Sequence, residues 1–396
     1  MTRLEKLIQE LCPDGVKYLP IPELFITKNG YTPSKANNEF WENGTIPWFR
    51  MEDIRENGRI LTTATQYVSE KAVKGKLFPA DSIIIATSAT IGEHALIKVP
   101  SLANQRFTYL TLKDEFKDCV DMMFVFYYCF RLDEYCKSHL NQGNFASVDM
   151  KQFAAFKFPL PPLPVQREIV RILDNFTELT AELTAELTAR KKQYEFYRDK
   201  LLTFGDVRGG ATSDVIRRTL GEVCKISAGG DAPKDSMSKQ KTEKYSVPII
   251  SNGIGENALY GYTDAPKVEE PAVTVAARGT IGYAEYRDYP FYPIIRLLTA
   301  IPKDSTIVNT KYLYYCLQGK QYSVPMGGIP QLTAPELKKV EIPIPSLDVQ
   351  NHIVQVLDNF DAICTDLSSG LPAEIEARQK QYEYYRDKLL SFEEKI

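Results

Sequence analysis

The stretches VQREIVRILDNF (165–176) and KQYEFYRDKLLTF (192–204) return later in the same chain as VQNHIVQVLDNF (349–360) and KQYEYYRDKLLSF (380–392). The first pair agrees at eight of twelve positions and the second at eleven of thirteen, so the chain is two similar units in tandem. The first pair is offset by 184 residues, far beyond the period of a solenoid repeat. Each unit is therefore a domain plus a helix.

Weaker echoes carry the duplication outward. NGYTPSK (29–35) resembles GGDAPKD (229–235), TIPWF (45–49) resembles SVPII (246–250), IIIATSATIGEH (83–94) resembles VTVAARGTIGYA (273–284), and FKFPLPPLPVQ (156–166) resembles VEIPIPSLDVQ (340–350). The offset drifts from about 200 down to 184, so the first globular part carries insertions that the second lacks. Unlike loops on a common plan point to unlike recognition by two modules.

In the first copy Ile169, Ile172, Leu173, Phe176, Leu179, Leu183 and Leu187 form an apolar stripe at helical spacing, continued by Tyr194, Tyr197, Leu201 and Phe204. A continuous helix from Pro164 to Phe204 would be about 60 Å long at 1.5 Å per residue, and such a rod needs a partner face. The second copy supplies one through Ile353, Val356, Leu357, Phe360, Ile363 and Leu367, then Tyr382, Tyr385, Leu389 and Phe392. Two equivalent helices in one chain are expected to pack antiparallel about a pseudo-twofold axis, with their modules at opposite ends. TELTAELTAELTA (177–189) is built from a tetrapeptide of good helix formers and reads as a length adjuster, whereas SSGLP (368–372) predicts a break in the second helix. Apolar packing alone does not explain why Arg198, Asp199 and Lys200 recur as Arg386, Asp387 and Lys388; charges copied at exposed positions point to equivalent partners.

With 396 residues, 44% hydrophobic and 25% charged, the chain is expected to be soluble with two full cores. A net charge of −3 gives bulk electrostatics no part in nucleic-acid binding, so any DNA contact must come from local basic patches or from partners. Leu4, Leu7, Ile8 and Leu11 mark an N-terminal packing helix, and no apolar run approaches a membrane span. Seven scattered cysteines without a CxxC pair argue against disulfides and zinc, and for a reducing cytoplasm.

The catalytic inventory is nearly empty. His94, His139 and His352 lack metal-ligand spacing, no GxxxxGK[ST] loop occurs, and no NPPY or DPPY tetrapeptide appears. Gly253, Gly255 and Ala258 imitate a dinucleotide fingerprint, but Tyr260 and Gly261 follow at once and leave no crossover helix. The residues read as a binding subunit, not an enzyme.

The whole arrangement resembles the DNA-specificity subunit of type I restriction-modification systems. The likeness rests on the opening RLEKLIQELCPDGVKYLPI, the paired Q-x-x-I-V-x-x-L-D-N-F and Q-Y-x-x-Y-R-D-K-L-L motifs and the TAEL units between them. The resemblance implies two target recognition domains, each reading one half of a bipartite double-stranded DNA site. It also implies helices that set the gap and dock two methyltransferase subunits, with two restriction subunits joining for cleavage. S-adenosylmethionine, ATP and Mg would reside on those partners, and no cofactor or metal in this chain.

The expected fold is α+β, two tandem α/β recognition domains joined by an antiparallel coiled-coil spacer. The divisions are a first domain at 1–160, a helical spacer at 161–206, a second domain at 207–345 and a second spacer at 346–396. Base edges are read by polar and basic side chains on loops. In the first module the candidates are Arg50, Asp53, Lys74, Thr87, Ser88, Asn104, Gln105, Arg106 and Asn144. In the second they are Lys234, Lys239, Lys241, Ser251, Asn252, Tyr260, Arg278, Thr280 and Gln331, with five lysines against three acids over 225–244. An ordinary solvated loop is the bland alternative for each. For the whole chain the competing readings are a coiled-coil scaffold with two protein- or ligand-binding modules, and an enzyme using the GxGxxA loop.

Overall fold

The computed structural model describes residues 2–141, 146–204, 215–322, 330–366 and 368–395. It divides into two compact units, Met1–Glu182 with Glu376–Ile396, and Leu183–Ile375.

The first unit runs α1 (Arg3–Leu11), β1 (Lys17–Pro20), α2 (Ile21–Leu24), β2 (Phe25–Asn29), β3 (Ile46–Phe49), α3 (Met51–Asn57), β4 (Ile60–Leu61), β5 (Tyr67–Val68), β6 (Ser82–Ala86), β7 (His94–Ile97), β8 (Leu102–Ala103), β9 (Phe107–Leu112), α4 (Met122–Ser138), α5 (Met150–Ala155), β10 (Lys157–Leu160) and the start of α6 (Leu163–Thr203). β6 reads SIIIA with every residue buried, the composition of a strand covered on both faces. It lies at the centre of the sheet β2-β9-β6-β7-β4. Side chains alternate between the faces. Ile83, Ile85, Leu96 and Leu110 pack with the aromatic α4 and the start of α6, while Ile84, Ala86, Ile97 and Tyr109 pack with residues of the small sheet β5-β3-β8.

The second unit takes the rest of α6, then β11 (Ile216–Thr219), α7 (Leu220–Val223), β12 (Cys224–Ala228), β13 (Met237–Ser238), β14 (Val247–Ile250), β15 (Leu259–Thr263), β16 (Ala272–Val275), β17 (Ala284–Arg287), β18 (Tyr292–Pro293), β19 (Leu298–Pro302), α8 (Thr310–Leu317), α9 (Ala334–Lys338), β20 (Glu341–Ile344), α10 (Leu347–Thr365) and the start of α11 (Leu371–Leu389). Its sheet β12-β19-β16-β17 repeats the first unit's large sheet without the short edge strand β4. The register is the same: Ile83 faces Leu110 and Val273 faces Ala300, so one offset of 190 maps both strands. The parallel pair β3 with β8 also recurs, as β14 with β18.

Each unit joins the start of one long helical segment to the end of the other. In the first, Val165, Ile169 and Leu173 of α6 share a core with Leu390, and Phe176 stacks on Tyr385, so the segments run antiparallel. In the second, Ile353 and Leu357 of α10 pack with Tyr194 and Leu201, and Phe360 stacks on Tyr197. The ties to the modules are copied too. Gln166 is fully buried, accepts from the Asp121 N–H at 2.8 Å and donates to the carbonyls of Cys119 and Pro161. Gln350 does the same with Asn309, Ile307 and Pro345. The Tyr127 hydroxyl donates to Asp174 at 2.6 Å, and Tyr315 donates to Asp358. Burial, reinforced by the carboxylate each one meets, pushes both phenols far above the ordinary tyrosine range.

Several positions depart from the expected apolar faces, among them Ile363 at 45% exposure. Leu179 is 46% exposed, because the two three-residue steps from Leu173 through Phe176 each fall about 60° short of a full revolution and carry it off the face. Leu11, at the end of α1, is also exposed while Leu4 is buried. Leu367 lies outside the described residues. The second helix does break, between Thr365 and Leu371, where the Ser368 and Ser369 hydroxyls donate to the Asp366 carboxylate. Gly255–Ala258 forms one 3-10 turn that runs into β15, so no helix N-terminus follows the GxGxxA run.

Candidate nucleic-acid interface

The loop after β6 and the loop after β16 are built alike. In the first, the Gly92 N–H donates to the Ala86 carbonyl at 3.0 Å, with Ala89 at φ 66° and Gly92 at φ 79°. In the second, the Gly282 N–H donates to Ala276 at 2.9 Å, with Gly279 at φ 70° and Gly282 at φ 88°. Both copies thus hold the same left-handed turn, for which glycine carries the least strain.

A second feature sits beside each loop, the turn that enters the neighbouring strand. In the first unit the Phe107 N–H returns to the Asn104 carbonyl, and the Asn104 side chain accepts from the Arg106 N–H at 3.0 Å. The Thr87 N–H donates to the Arg106 carbonyl at 2.9 Å, Thr87 shares a hydroxyl contact with Thr108, and Gln105 accepts from the Thr32 hydroxyl. Ser88 bridges to Ser147. The Phe49 carbonyl accepts from the Asn104 N–H, so Arg50 begins α3 next to the same turn, its guanidinium bonded to Thr65 and 5.8 Å from the Trp48 ring. Lys74 donates its backbone N–H to the Tyr31 hydroxyl and sets its ammonium 5.5 Å from that ring. Thr87, Ser88, Asn104, Gln105 and Arg106 are therefore brought together, with Arg50 and Lys74 at the margin. Asp53 is different. It is fully buried and accepts from the N–H of Arg50 and from the N–H and hydroxyl of Thr65, so it fastens the start of α3 and offers no acceptor outward. Asn144 lies outside the described residues.

In the second unit Asn252 is the hub. Its side chain donates to the Ile295 carbonyl at 2.6 Å and accepts from the Ala277 N–H at 2.7 Å, while its own carbonyl accepts from the Thr280 hydroxyl. Arg278 donates through two nitrogens to Gln331 Oε1, at 2.9 and 2.7 Å. Ser251 donates to the Ala258 carbonyl. Lys239 lies 3.8 Å from the centre of the Tyr260 ring, and Lys234 and Tyr260 border a hollow of about 770 Å³ with Ile294 and Ile295. Lys241 lines a separate hollow with Glu256 and Arg287.

Arg296 is a further candidate that residue type alone does not single out. Adding the strand offset of 190 to Arg106 gives Arg296, exposed in the matching turn where the Leu297 N–H returns to the Ile294 carbonyl. The repeated IIIATSATIGEH motif already carried that offset.

The helical segments carry a second repeated surface. Phe196 and Tyr384 occupy matched positions, are 61% and 62% exposed, and each stands edge-on to its neighbouring tyrosine at 5.4 Å. Beside them Arg198 pairs with Asp199 and Arg386 with Asp387. Among the described residues no cluster of His, Cys, Asp and Glu could hold a metal ion, and no helix is long and apolar enough to cross a membrane. All seven cysteines are free.

Comparison with known proteins gives a consistent result. A family model described as the type I restriction modification DNA specificity domain matches twice, over residues 13–190 and 213–377. The chain is 42% identical over 388 residues to the type I restriction enzyme EcoprrI specificity subunit of Escherichia coli, covering 93% of this chain and 92% of that protein. It is 32% identical over 285 residues to the EcoR124I/EcoR124II specificity subunit of Escherichia coli, covering 64% and 68%. Among solved structures, a chain from work on complex assembly and conformational transition of the type I R-M system superposes with a TM-score of 0.68 at 18% identity. That match spans 96% of this chain and 98% of that one, and it shows a shared fold.

Proposed function

The chain belongs to the type I restriction-modification DNA specificity family and serves as a specificity subunit, and we propose that each globular module reads one half of a bipartite, asymmetric duplex site. One observation carries this reading: the loop and the turn occur at the same strand register in both modules, with the loops alike in backbone, the turns built differently, and different side chains on both. Position 88 is serine where its counterpart 278 is arginine, and position 105 is glutamine where its counterpart 295 is isoleucine. Two unlike readers on one scaffold suit a site with two unlike halves. Arg278, whose Nε and Nη2 donate to Gln331, is held in place with Nη1 left over, and arginine is the side chain that most often reads guanine in the major groove.

The antiparallel helical segments would set the gap between half-sites. The doubled surface around Phe196 and Tyr384 would dock two methyltransferase subunits, and two restriction subunits would complete the complex. Exposed aromatics flanked by arginine are favoured at protein interfaces, and duplication of the surface favours two copies of one partner. The chain itself would be non-catalytic and cytoplasmic. S-adenosylmethionine, ATP and Mg would be held by the partners, which would also neutralise much of the phosphate charge that a chain of net charge −3 does not meet.

The test is retention of duplex DNA by the chain in complex with its methyltransferase subunits. The reading expects sequence-selective binding that weakens steeply with salt. A coiled-coil scaffold for protein or small ligands would show neither property.

A further inference from the structure

We propose that Arg106 and Arg296 are a matched pair of phosphate contacts, one in each module, and that the neighbouring positions which differ between modules discriminate bases. This rests on reading the chain as a duplex-binding subunit and assigns the division of labour within each reader.

The equivalence comes from the structure. Ladder register places Thr108 opposite Ile85 and Leu298 opposite Val275, so the residues two positions before each, Arg106 and Arg296, share one place in the fold. Each arginine is the third residue of a tight turn closed by the same backbone bond, Phe107 to Asn104 in one module and Leu297 to Ile294 in the other. Both are exposed, and neither side chain has a hydrogen bond or ion pair with the described residues.

The two turns are held by different means. The first is fastened directly by the Thr87 N–H; in the second the Asn252 side chain is inserted between the Ala277 N–H and the Ile295 carbonyl. In the second, Ile295 and Arg296 both take positive φ, 52° and 60°, which neither Gln105 nor Arg106 does. A β-branched residue in the left-handed region is strained and persists only where its surroundings impose it. An arginine is thus kept at the same place through two unlike constructions. A group common to readers of unlike sequences is suited to what all duplexes share, the phosphate backbone, which fixes register without carrying sequence information. The positions that change, Ser88 against Arg278 and Gln105 against Ile295, are the ones left to distinguish bases.

The experiment measures DNA affinity of the complex with its methyltransferase subunits across a range of salt, together with methylation sequencing, for four variants. Arg106→Ala and Arg296→Ala are each expected to reduce the slope of log K against log salt by about 1 and to leave the methylated sequence unchanged. Arg296→Lys should keep both slope and sequence, because a phosphate accepts a point charge where a bidentate base contact does not. Arg278→Ala should relax one position in one half-site. If Arg296→Ala relaxes a base position at unchanged slope, or if Arg296→Lys does so, the assignment is overturned. If the unsubstituted complex shows no salt-dependent selection of duplex DNA, the underlying reading fails instead.

Discussion

The rings of Phe176 and Tyr385 stack with centroids 5.5 Å apart and planes 22° from parallel. Their repeat counterparts Phe360 and Tyr197 stack at 6.0 Å and 29°. Each pair joins the first segment of one copy to the last segment of the other, inside a single unit. Tyr385→Ala should therefore loosen α4 and the start of α6 and leave α8 and α10 protected, and Tyr197→Ala should do the reverse. Tyr385 and Tyr197 are 36% and 38% exposed, so each ring is worth about 1 kcal/mol. Hydrogen exchange resolved by segment checks this; loosening of α10 by Tyr385→Ala would contradict the pairing.

Gln166 and Gln350 each satisfy one buried N–H and two carbonyls where a module meets its helix. Replacing either with leucine keeps the volume but strands those groups. The expected loss is roughly 2–4 kcal/mol, since the cost is the desolvation of partners left unpaired. Thermal unfolding of Gln166→Leu and Gln350→Leu measures it, and a change below about 0.5 kcal/mol, the scatter of ordinary surface substitutions, would show that the junctions do not depend on these bonds.

In the second unit, Thr219 with Glu222 and Thr333 with Glu336 form reciprocal capping boxes. The bonds from Thr219 and Thr333 hold both glutamates below their ordinary value of 4.5. A depressed folded value stabilises the protein fully above 4.5 and loses that contribution as pH falls through the depressed value. The double variant Glu222→Gln, Glu336→Gln should accordingly show a melting temperature that falls less steeply on acidification than that of the parent. Identical acid profiles would remove the boxes from the account.

Deleting Thr180–Leu183 removes one TAEL unit, about 6 Å of helix, from a stretch of α6 in which Leu179 is exposed and Leu183 and Leu187 are half-buried. At about 3.4 Å per base pair, the unread gap should shorten by roughly 1–2 base pairs with both half-sites unchanged. Methylation sequencing that returned altered half-sites would refute the helix as a spacer.

Much of this architecture was legible in the sequence because duplication prints it twice. VQREIVRILDNF and KQYEFYRDKLLTF located both helices, and SSGLP marked the break after Thr365. The antiparallel pairing followed from two stripes needing each other. The candidate reader residues were less legible. Asp53 looked like a base-reading carboxylate, but its neighbours Arg50 and Thr65 turn it inward, and burial depends on contacts that side-chain type does not announce. Arg296 was passed over because its turn has no sequence echo, only a strand register that equates it with Arg106. The role of Asn252 as a clamp between loop and turn depends on positive φ at Ile295, which residue type disfavours and the local frame imposes.

The central claim is that two unlike readers on one chain hold the two halves of a divided DNA site. Single-molecule methylation sequencing of a host with and without this gene tests it most directly. The account predicts one gene-dependent motif, asymmetric and split by an unread gap. A continuous motif, or a methylation pattern indifferent to the gene, would contradict it.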